Sequence, residues 1–167
     1  MAQLPPHKTV QYQGTQRTVD EMEKLVQSPR GEQSLRLRNL VEDIVRHVRD
    51  RDKLSQIAAV YDWFNRRYTF LPDPRDVELV RDPEAVIEAI QRTGRFVGDC
   101  DDATVFLVAA LRTIGIQCKI VRVAFKEKGS FTHVFAVALD QHKQPVIIDP
   151  VAGPRTASMA RRARKVK

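Results

Sequence analysis

The sequence contains little cysteine: Cys100 and Cys118 are its two examples among 167 residues. Two cysteines cannot build a disulfide framework, and the chain has no CxxC motif or Cys/His cluster with zinc spacing. It also lacks an uninterrupted run of about 18 apolar residues, so no membrane-spanning helix is expected. No internal repeat is visible. These absences predict a globular protein with free thiols.

Residues 1–6 show neither the basic nor the apolar region of a secretory signal. We therefore expect a cytoplasmic protein, or one associated with a particle assembled there, such as a virion. With 43% hydrophobic and 29% charged residues, the chain can bury a substantial core. We assign residues 1–17 to an N-terminal arm, residues 18–154 to one folded domain and residues 155–167 to a basic tail.

The basic tail holds part of the net charge of +7. Clustered cations could bind phosphates or an acidic protein surface, so an acidic partner or nucleic acid is one interpretation. The simpler one is a solvated terminus. No aromatic residues interleave with these charges, which argues against stacking on single-stranded nucleic acid. No membrane partner is expected.

Hydrophobic spacing predicts helices in the first part of the chain. Thr18 and Glu21 form a capping box, which predicts a short helix from Thr18 to Val26. Asp82 followed by a proline predicts another helix start, and Gly94 its end. Two amphipathic helices should lie between them, the first from Ser34 to Val48 and the second from Asp52 to Tyr68. The aromatic end of the second should pack beneath the helix that begins at Cys100.

Nearly every residue from 103 to 114 is apolar, which predicts a central helix covered on several sides and ended by a left-handed Gly115. Beyond it, residues 116–125, 131–139 and 146–148 are rich in β-branched residues and predict strands. Helices followed by an antiparallel sheet make an α+β fold.

The last two strands bring a histidine and an aspartate together. In an antiparallel pair the opposed residue numbers have a constant sum, and a turn centred near Gln141 gives about 282. His133 would then lie opposite Asp149, within hydrogen-bonding reach. If the sheet packs on the helix that starts at Cys100, the imidazole can face the thiol.

This arrangement suits a thiol nucleophile. A helix N-terminus and an imidazolium can lower the pKa of a thiol from its usual value of about 8.5, which would make Cys100 a thiolate at neutral pH. His133 would then act as general acid on the leaving group, and Asp149 would fix the tautomer of His133. The Cys100 N–H would donate to the oxyanion. Candidates for a second oxyanion donor are Asn65, Trp63 and Tyr68.

Three carboxylates surround the thiol and oppose its ionisation. Asp99, Asp101 and Asp102 would raise the pKa of Cys100, so each needs a partner, which could be a helix-start N–H group, an arginine or a cation. Cys118 lies within an apolar strand and is interpreted as structural. His47 lies off the apolar stripe of its helix and is assigned to the surface.

The residues from Gly98 to Ala103, the apolar helix, the segment Thr132–Phe135 and the segment Ile148–Pro150 together resemble the core of the transglutaminase-like superfamily. The resemblance runs from about Trp63 to Val151. It implies a papain-like fold, with N-terminal helices and a central buried helix packed on an antiparallel sheet, and a Cys-His-Asp triad. The activity it implies is acyl transfer through a thioester, as in proteolysis, amide hydrolysis, deamidation or protein cross-linking.

Within that superfamily the chain is most similar to bacterial and phage transglutaminase-like cysteine proteases. Their acyl transfer needs no cofactor, but carboxylates beside the nucleophile bind calcium in the bacterial group, which implies Asp99, Asp101 and Asp102 as ligands here; oxygen ligands suit that ion. Those bacterial proteases are exported, unlike the protein expected here. The substrate would be a protein or peptide. The alternative is a non-catalytic binding or structural module on the same fold, such as a phage virion or assembly protein.

Overall fold

The structure is a computed structural model that describes residues 8–11, 15–73, 77–123 and 133–151. The basic tail and the predicted turn at 126–130 lie outside these ranges. The described helices are α1 (Thr15–Val26), α2 (Leu35–Val45), α3 (Lys53–Asn65), α4 (Pro83–Thr93) and α5 (Cys100–Thr113). The strands are β1 (Lys8–Gln11), β2 (Tyr68–Phe70), β3 (Val77–Val80), β4 (Phe96–Gly98), β5 (Cys118–Val123), β6 (His133–Leu139) and β7 (Pro145–Ile148).

The strands form three small sheets. Strands β5, β6 and β7 make the antiparallel sheet, in that order. Strand β1 pairs antiparallel with β3, and β2 pairs parallel with β4. The predicted α+β fold is therefore confirmed, with the two-stranded sheets as additions that the sequence did not indicate. No described helix has both the length and the apolar character needed to cross a membrane.

Helix α5 lies at the centre of the molecule. All residues from Ala103 to Leu111 are buried. One face of strand β6 covers this helix through its alternately buried side chains, of which Ala136 and Ala138 are fully covered. On another side, the Phe64 ring of α3 stacks on Phe106 with 4.8 Å between centroids. The predicted packing of the aromatic end of α3 beneath α5 is thus confirmed.

Side-chain caps and glycines set the helix ends largely as predicted. Ser34, Asp52 and Asp82 each accept a first-turn backbone N–H at the start of α2, α3 and α4. Gly94 and Gly115 follow α4 and α5 with φ of 77° and 75°, in the left-handed region that favours glycine.

Several boundaries differ from the prediction, among them the end of α2, which lies at Val45 rather than at Val48. Helix α1 begins at Thr15 rather than at Thr18, because Thr18 lies inside the helix with its side chain buried instead of capping the first turn. Tyr68 is not the last residue of α3. The helix ends at Asn65, and Tyr68 opens β2, where it pairs with Phe96.

The register of the β6–β7 hairpin is also shifted by two residues from the predicted one. Ala136 pairs with Ile148, so Asp149 continues opposite Phe135 and not opposite His133. The reason is the turn, which is centred on His142 rather than Gln141. Buried Asp140 builds this turn, because its Oδ1 accepts the backbone N–H groups of His142 and Gln144, each at 2.8 Å. A shift of two residues keeps side chains on the same face of the sheet.

Replacing the Asp140 side chain should destabilise the hairpin. Asp140→Ala removes the oxygen that accepts hydrogen bonds from two backbone N–H groups. We expect the free energy of unfolding to fall by about 2–3 kcal/mol in urea titrations. Asp140→Asn keeps an Oδ1 in the same place and should cost about 1 kcal/mol or less. Equal losses in the two variants would show that the charge of Asp140, and not its position as an acceptor, holds the turn.

Candidate active site

Cys100 is the first residue of α5, and Asp99 is the N-cap of this helix. Asp99 Oδ1 accepts the backbone N–H groups of Asp101 at 2.9 Å and Asp102 at 3.4 Å. The Asp99 side chain therefore accepts hydrogen bonds from the second and third residues of the helix, but not from the N–H of Cys100. Strand β4 delivers the chain to this point, so the thiol is placed by both a strand end and a helix start.

His133 and Asp149 form a close pair beside β6. The distance from His133 Nε2 to Asp149 Oδ2 is 2.7 Å, and both side chains are mostly buried. The pair is diagonal across the two strands, a spacing that a histidine can bridge. An ionised carboxylate can only accept, so Nε2 is the donor of this pair, and Nδ1 is left as the ring nitrogen suited to accept a thiol proton. Asp149 Oδ1 also accepts the Val151 N–H at 3.0 Å.

The Cys100 thiol lies near the same strand, close enough for the backbone N–H of Val134, the residue after His133, to lower the pKa of the thiol. Burial raises the pKa of Cys100 above its usual range, and the carboxylates of Asp101 and Asp99 raise it further, while the Val134 N–H opposes them. The predicted lowering of this pKa is therefore wrong. These effects favour the neutral thiol, whose Sγ donates to Asp101 Oδ1 at 3.5 Å.

The three carboxylates predicted around the thiol have separate partners. Asp99 caps the helix and Asp101 faces the sulfur, whereas fully buried Asp102 turns to Arg81. Asp102 Oδ2 lies 2.5 Å from the Arg81 guanidinium, and Oδ1 accepts the Arg81 backbone N–H at 2.8 Å. Two of the partner types considered for these acids, helix-start amides and an arginine, are thus present.

Two of the three carboxylates of the calcium site that the resemblance implies, Asp99 and Asp101, lie together in the structure. Among the described residues, the ligand atoms that come within 4.8 Å of one another belong to Asp99, Cys100 and Asp101. Asp102 is not in this group, and both of its oxygens accept hydrogen bonds from Arg81. Calcium prefers six to eight oxygen ligands, and a thiol is a soft ligand that does not suit it.

Sequence reasoning missed the part played by Arg81 and Gly98. Burial raises the pKa of Asp102 to about 7, and the Arg81 guanidinium opposes this rise. Gly98 leaves room for the carboxylate: a Cβ there would meet Asp102 Oδ2 and lie 2.8 Å from the Phe96 ring. A carboxylate such as Asp102 in the first turn of an otherwise apolar, buried helix indicates that a positively charged side chain lies nearby.

The structure distinguishes the three candidates for a second oxyanion donor. Asn65 is exposed at the end of α3. The Trp63 ring lies between Arg67, whose guanidinium is 4.4 Å from its centroid, and the ring of Phe106. Tyr68 reaches the site, but its hydroxyl donates to the backbone carbonyl of Asp99 at 2.9 Å. Tyr68 is therefore engaged with the main chain beside the nucleophile.

The Arg81–Asp102 pair should be important for stability. Arg81→Met leaves a buried carboxylate without its cation, and we expect the free energy of unfolding to fall by about 3–5 kcal/mol. The double variant Arg81→Met/Asp102→Asn should recover part of this loss, because it removes the uncompensated charge. Additive losses in urea unfolding would contradict a direct coupling between the two side chains.

Asp101 should suppress the reactivity of the thiol. Asp101→Asn removes a carboxylate that raises the pKa of Cys100, so more thiolate is present at a fixed pH. At pH 8 the rate of iodoacetamide labelling on the Cys100 peptide, followed by mass spectrometry, should rise about threefold or more. The control is Asp43→Asn, which removes an exposed carboxylate from α2. An equal rise in the control would remove the local explanation.

Comparison with known proteins gives a family and a structural neighbour. The family model of the transglutaminase-like superfamily matches residues 38–150. A crystal structure of a proposed protease from Parabacteroides distasonis is similar with a TM-score of 0.62 and 13% sequence identity. The match covers 83% of this chain and 27% of that one, so the chain spans about a quarter of its neighbour, and the likeness shows the fold alone. No curated protein matches. Since the family match takes in most of the chain, from α2 to the residue after Asp149, the chain belongs to the transglutaminase-like superfamily.

Proposed function

We propose that the protein is a cysteine-dependent acyl-transfer enzyme that acts on protein amide bonds through a thioester on Cys100. The observation that carries the proposal is the His133–Asp149 pair at 2.7 Å, which adjoins Val134, the residue whose backbone N–H is close enough to Cys100 to lower the pKa of its thiol. Membership in the transglutaminase-like superfamily supports a cysteine-protease type of function. The fold shared with a proposed protease is consistent with this.

The first step forms the thioester. His133 Nδ1 takes the thiol proton as the Cys100 sulfur attacks the carbonyl carbon of the substrate amide, and the carbonyl oxygen becomes an oxyanion. The Cys100 N–H, at the start of α5, is a donor to that oxyanion. When the intermediate collapses, the C–N bond breaks and the leaving amine takes the proton from His133.

The second step releases the acyl group. Water or an amine attacks the thioester carbon, His133 accepts the proton of this nucleophile, and the C–S bond breaks as the sulfur regains a proton. Attack by water gives hydrolysis or deamidation, and attack by an amine gives a cross-linked product. Throughout, Asp149 keeps His133 in one tautomer and stabilises the imidazolium that forms in each step.

Because the neutral thiol is favoured at rest, we expect the thiolate to form only as Cys100 attacks the substrate. Because burial and the nearby carboxylates disfavour the thiolate, the proton should move to His133 as the carbonyl carbon is attacked, rather than before substrate binds. The enzyme would then depend on general-base catalysis by His133 more than on a stored ion pair. This mechanism requires no metal ion and fits a cytoplasmic or virion-associated protein that acts on protein or peptide substrates.

The proposal is tested by comparing variants on a protein mixture from the source cell. Wild-type protein should produce Cys100-dependent cleaved, deamidated or cross-linked products detectable by mass spectrometry. Cys100→Ala and His133→Ala should lower product formation by about a thousandfold or more, and Asp149→Ala by a smaller factor. Cys118→Ser, which removes the other thiol, should retain activity.

Product patterns that are identical in wild type and Cys100→Ala would count against the enzyme. They would favour the alternative, a binding or structural module that keeps the fold of the superfamily, as in a phage virion or assembly protein. Circular dichroism of each variant checks that loss of product follows from the missing group and not from unfolding.

A further inference from the structure

We propose that Tyr68 is a positioning residue, which aims the Cys100 N–H at the oxyanion by holding the carbonyl of the same peptide unit. The inference rests on the proposed acyl transfer at Cys100. It assigns Tyr68 a role different from direct donation to the substrate, because its hydroxyl proton is directed at the Asp99 carbonyl oxygen at 2.9 Å.

The geometry of one peptide unit links the two groups. The Asp99 carbonyl and the Cys100 N–H belong to the same planar unit, and no described residue has a cis peptide bond. In a trans unit the C=O and N–H point in opposite directions, so whatever holds the carbonyl also sets the direction of the amide. Because the Asp99 carbonyl accepts from the Tyr68 hydroxyl, the Cys100 N–H of the same trans unit points away from Tyr68.

The Asp99 carbonyl accepts a second, longer hydrogen bond. It accepts the first hydrogen bond of α5 from the Ala103 N–H at 3.3 Å, which is longer than its 2.9 Å contact with Tyr68. The side chain of Asp99 is committed to the amides of Asp101 and Asp102. Tyr68 therefore supplies the closer of the two restraints on the peptide that carries the proposed oxyanion donor.

Tyr68 is itself packed against two other aromatic rings. Its ring stacks on Phe64 with 5.1 Å between centroids and on Phe96 at 6.3 Å, and its backbone pairs with Phe96 across β2 and β4. Burial raises the pKa of Tyr68, and the carboxylate of Asp99 raises it further. The hydroxyl consequently keeps its proton and remains a donor wherever the enzyme would work.

Two reactions of the Cys100 sulfur distinguish a loss of oxyanion stabilisation from a general loss of thiol reactivity. Acylation by p-nitrophenyl acetate passes through an oxyanion, whereas alkylation by iodoacetamide displaces iodide at a saturated carbon and forms none. In a Cys118→Ser background, Tyr68→Phe should lower the rate of acylation at Cys100 by about tenfold to a hundredfold. The rate of alkylation should stay within about twofold. The matched control is Tyr61→Phe, which removes a hydroxyl from a buried tyrosine of α3 and should alter neither rate by more than about twofold.

A direct readout follows the peptide itself. Because the chain has two cysteines, ¹⁵N-cysteine labelling gives two backbone amide resonances, and Cys118→Ser identifies them. Tyr68→Phe should shift the Cys100 resonance and leave that of Cys118 in place, whereas Tyr61→Phe should move the Cys100 resonance less.

The outcomes distinguish the two proposals. Equal losses of acylation and alkylation in Tyr68→Phe, or an unmoved Cys100 amide resonance, would overturn the positioning role while leaving Cys100 as nucleophile. A wild-type protein that is not acylated at Cys100 would overturn the acyl-transfer function itself, and the positioning role with it. Slower acylation with unchanged alkylation and a shifted resonance supports both.

Discussion

Burial of helix α5 on every side is the constraint on which the site depends. A helix covered by four other helices and a sheet can expose polar groups only at its ends, so each charged side chain in its first turn needs a partner. Arg81 supplies the partner of Asp102, and Asp99 supplies the cap. The thiol of Cys100 thus lies where an apolar core meets a small cluster of hydrogen-bonded and ion-paired side chains.

The same burial gives the site its chemical character at rest. A cysteine at an exposed helix start would have a lowered pKa, but here removal from water and two carboxylates have the larger effect. The result is that the protonated form of the thiol is favoured at rest. Under the proposed function, reactivity would appear when a substrate carbonyl occupies the site and His133 can accept the proton.

Local sequence signals predicted the helices, the α+β order and the three residues proposed for catalysis, because caps, glycines and hydrophobic periods act over a few residues. The hairpin register was wrong because the side chain of Asp140 determines the width of the turn. Tyr68 was assigned to a helix because its aromatic ring continued the apolar period of α3; pairing with Phe96 placed it in a strand instead. The role of Arg81 depends on a contact with a residue 21 positions away, which no local pattern encodes.

The shifted hairpin shows why His133 and Asp149 still meet. Side chains alternate between the two faces of a sheet, so a register change of two residues keeps a pair on one face and turns a direct neighbour into a diagonal one. A change of one residue would place the imidazole and the carboxylate on opposite faces. A register shift of two residues therefore increases the distance between His133 and Asp149 only slightly, whereas a shift of one residue would prevent their contact.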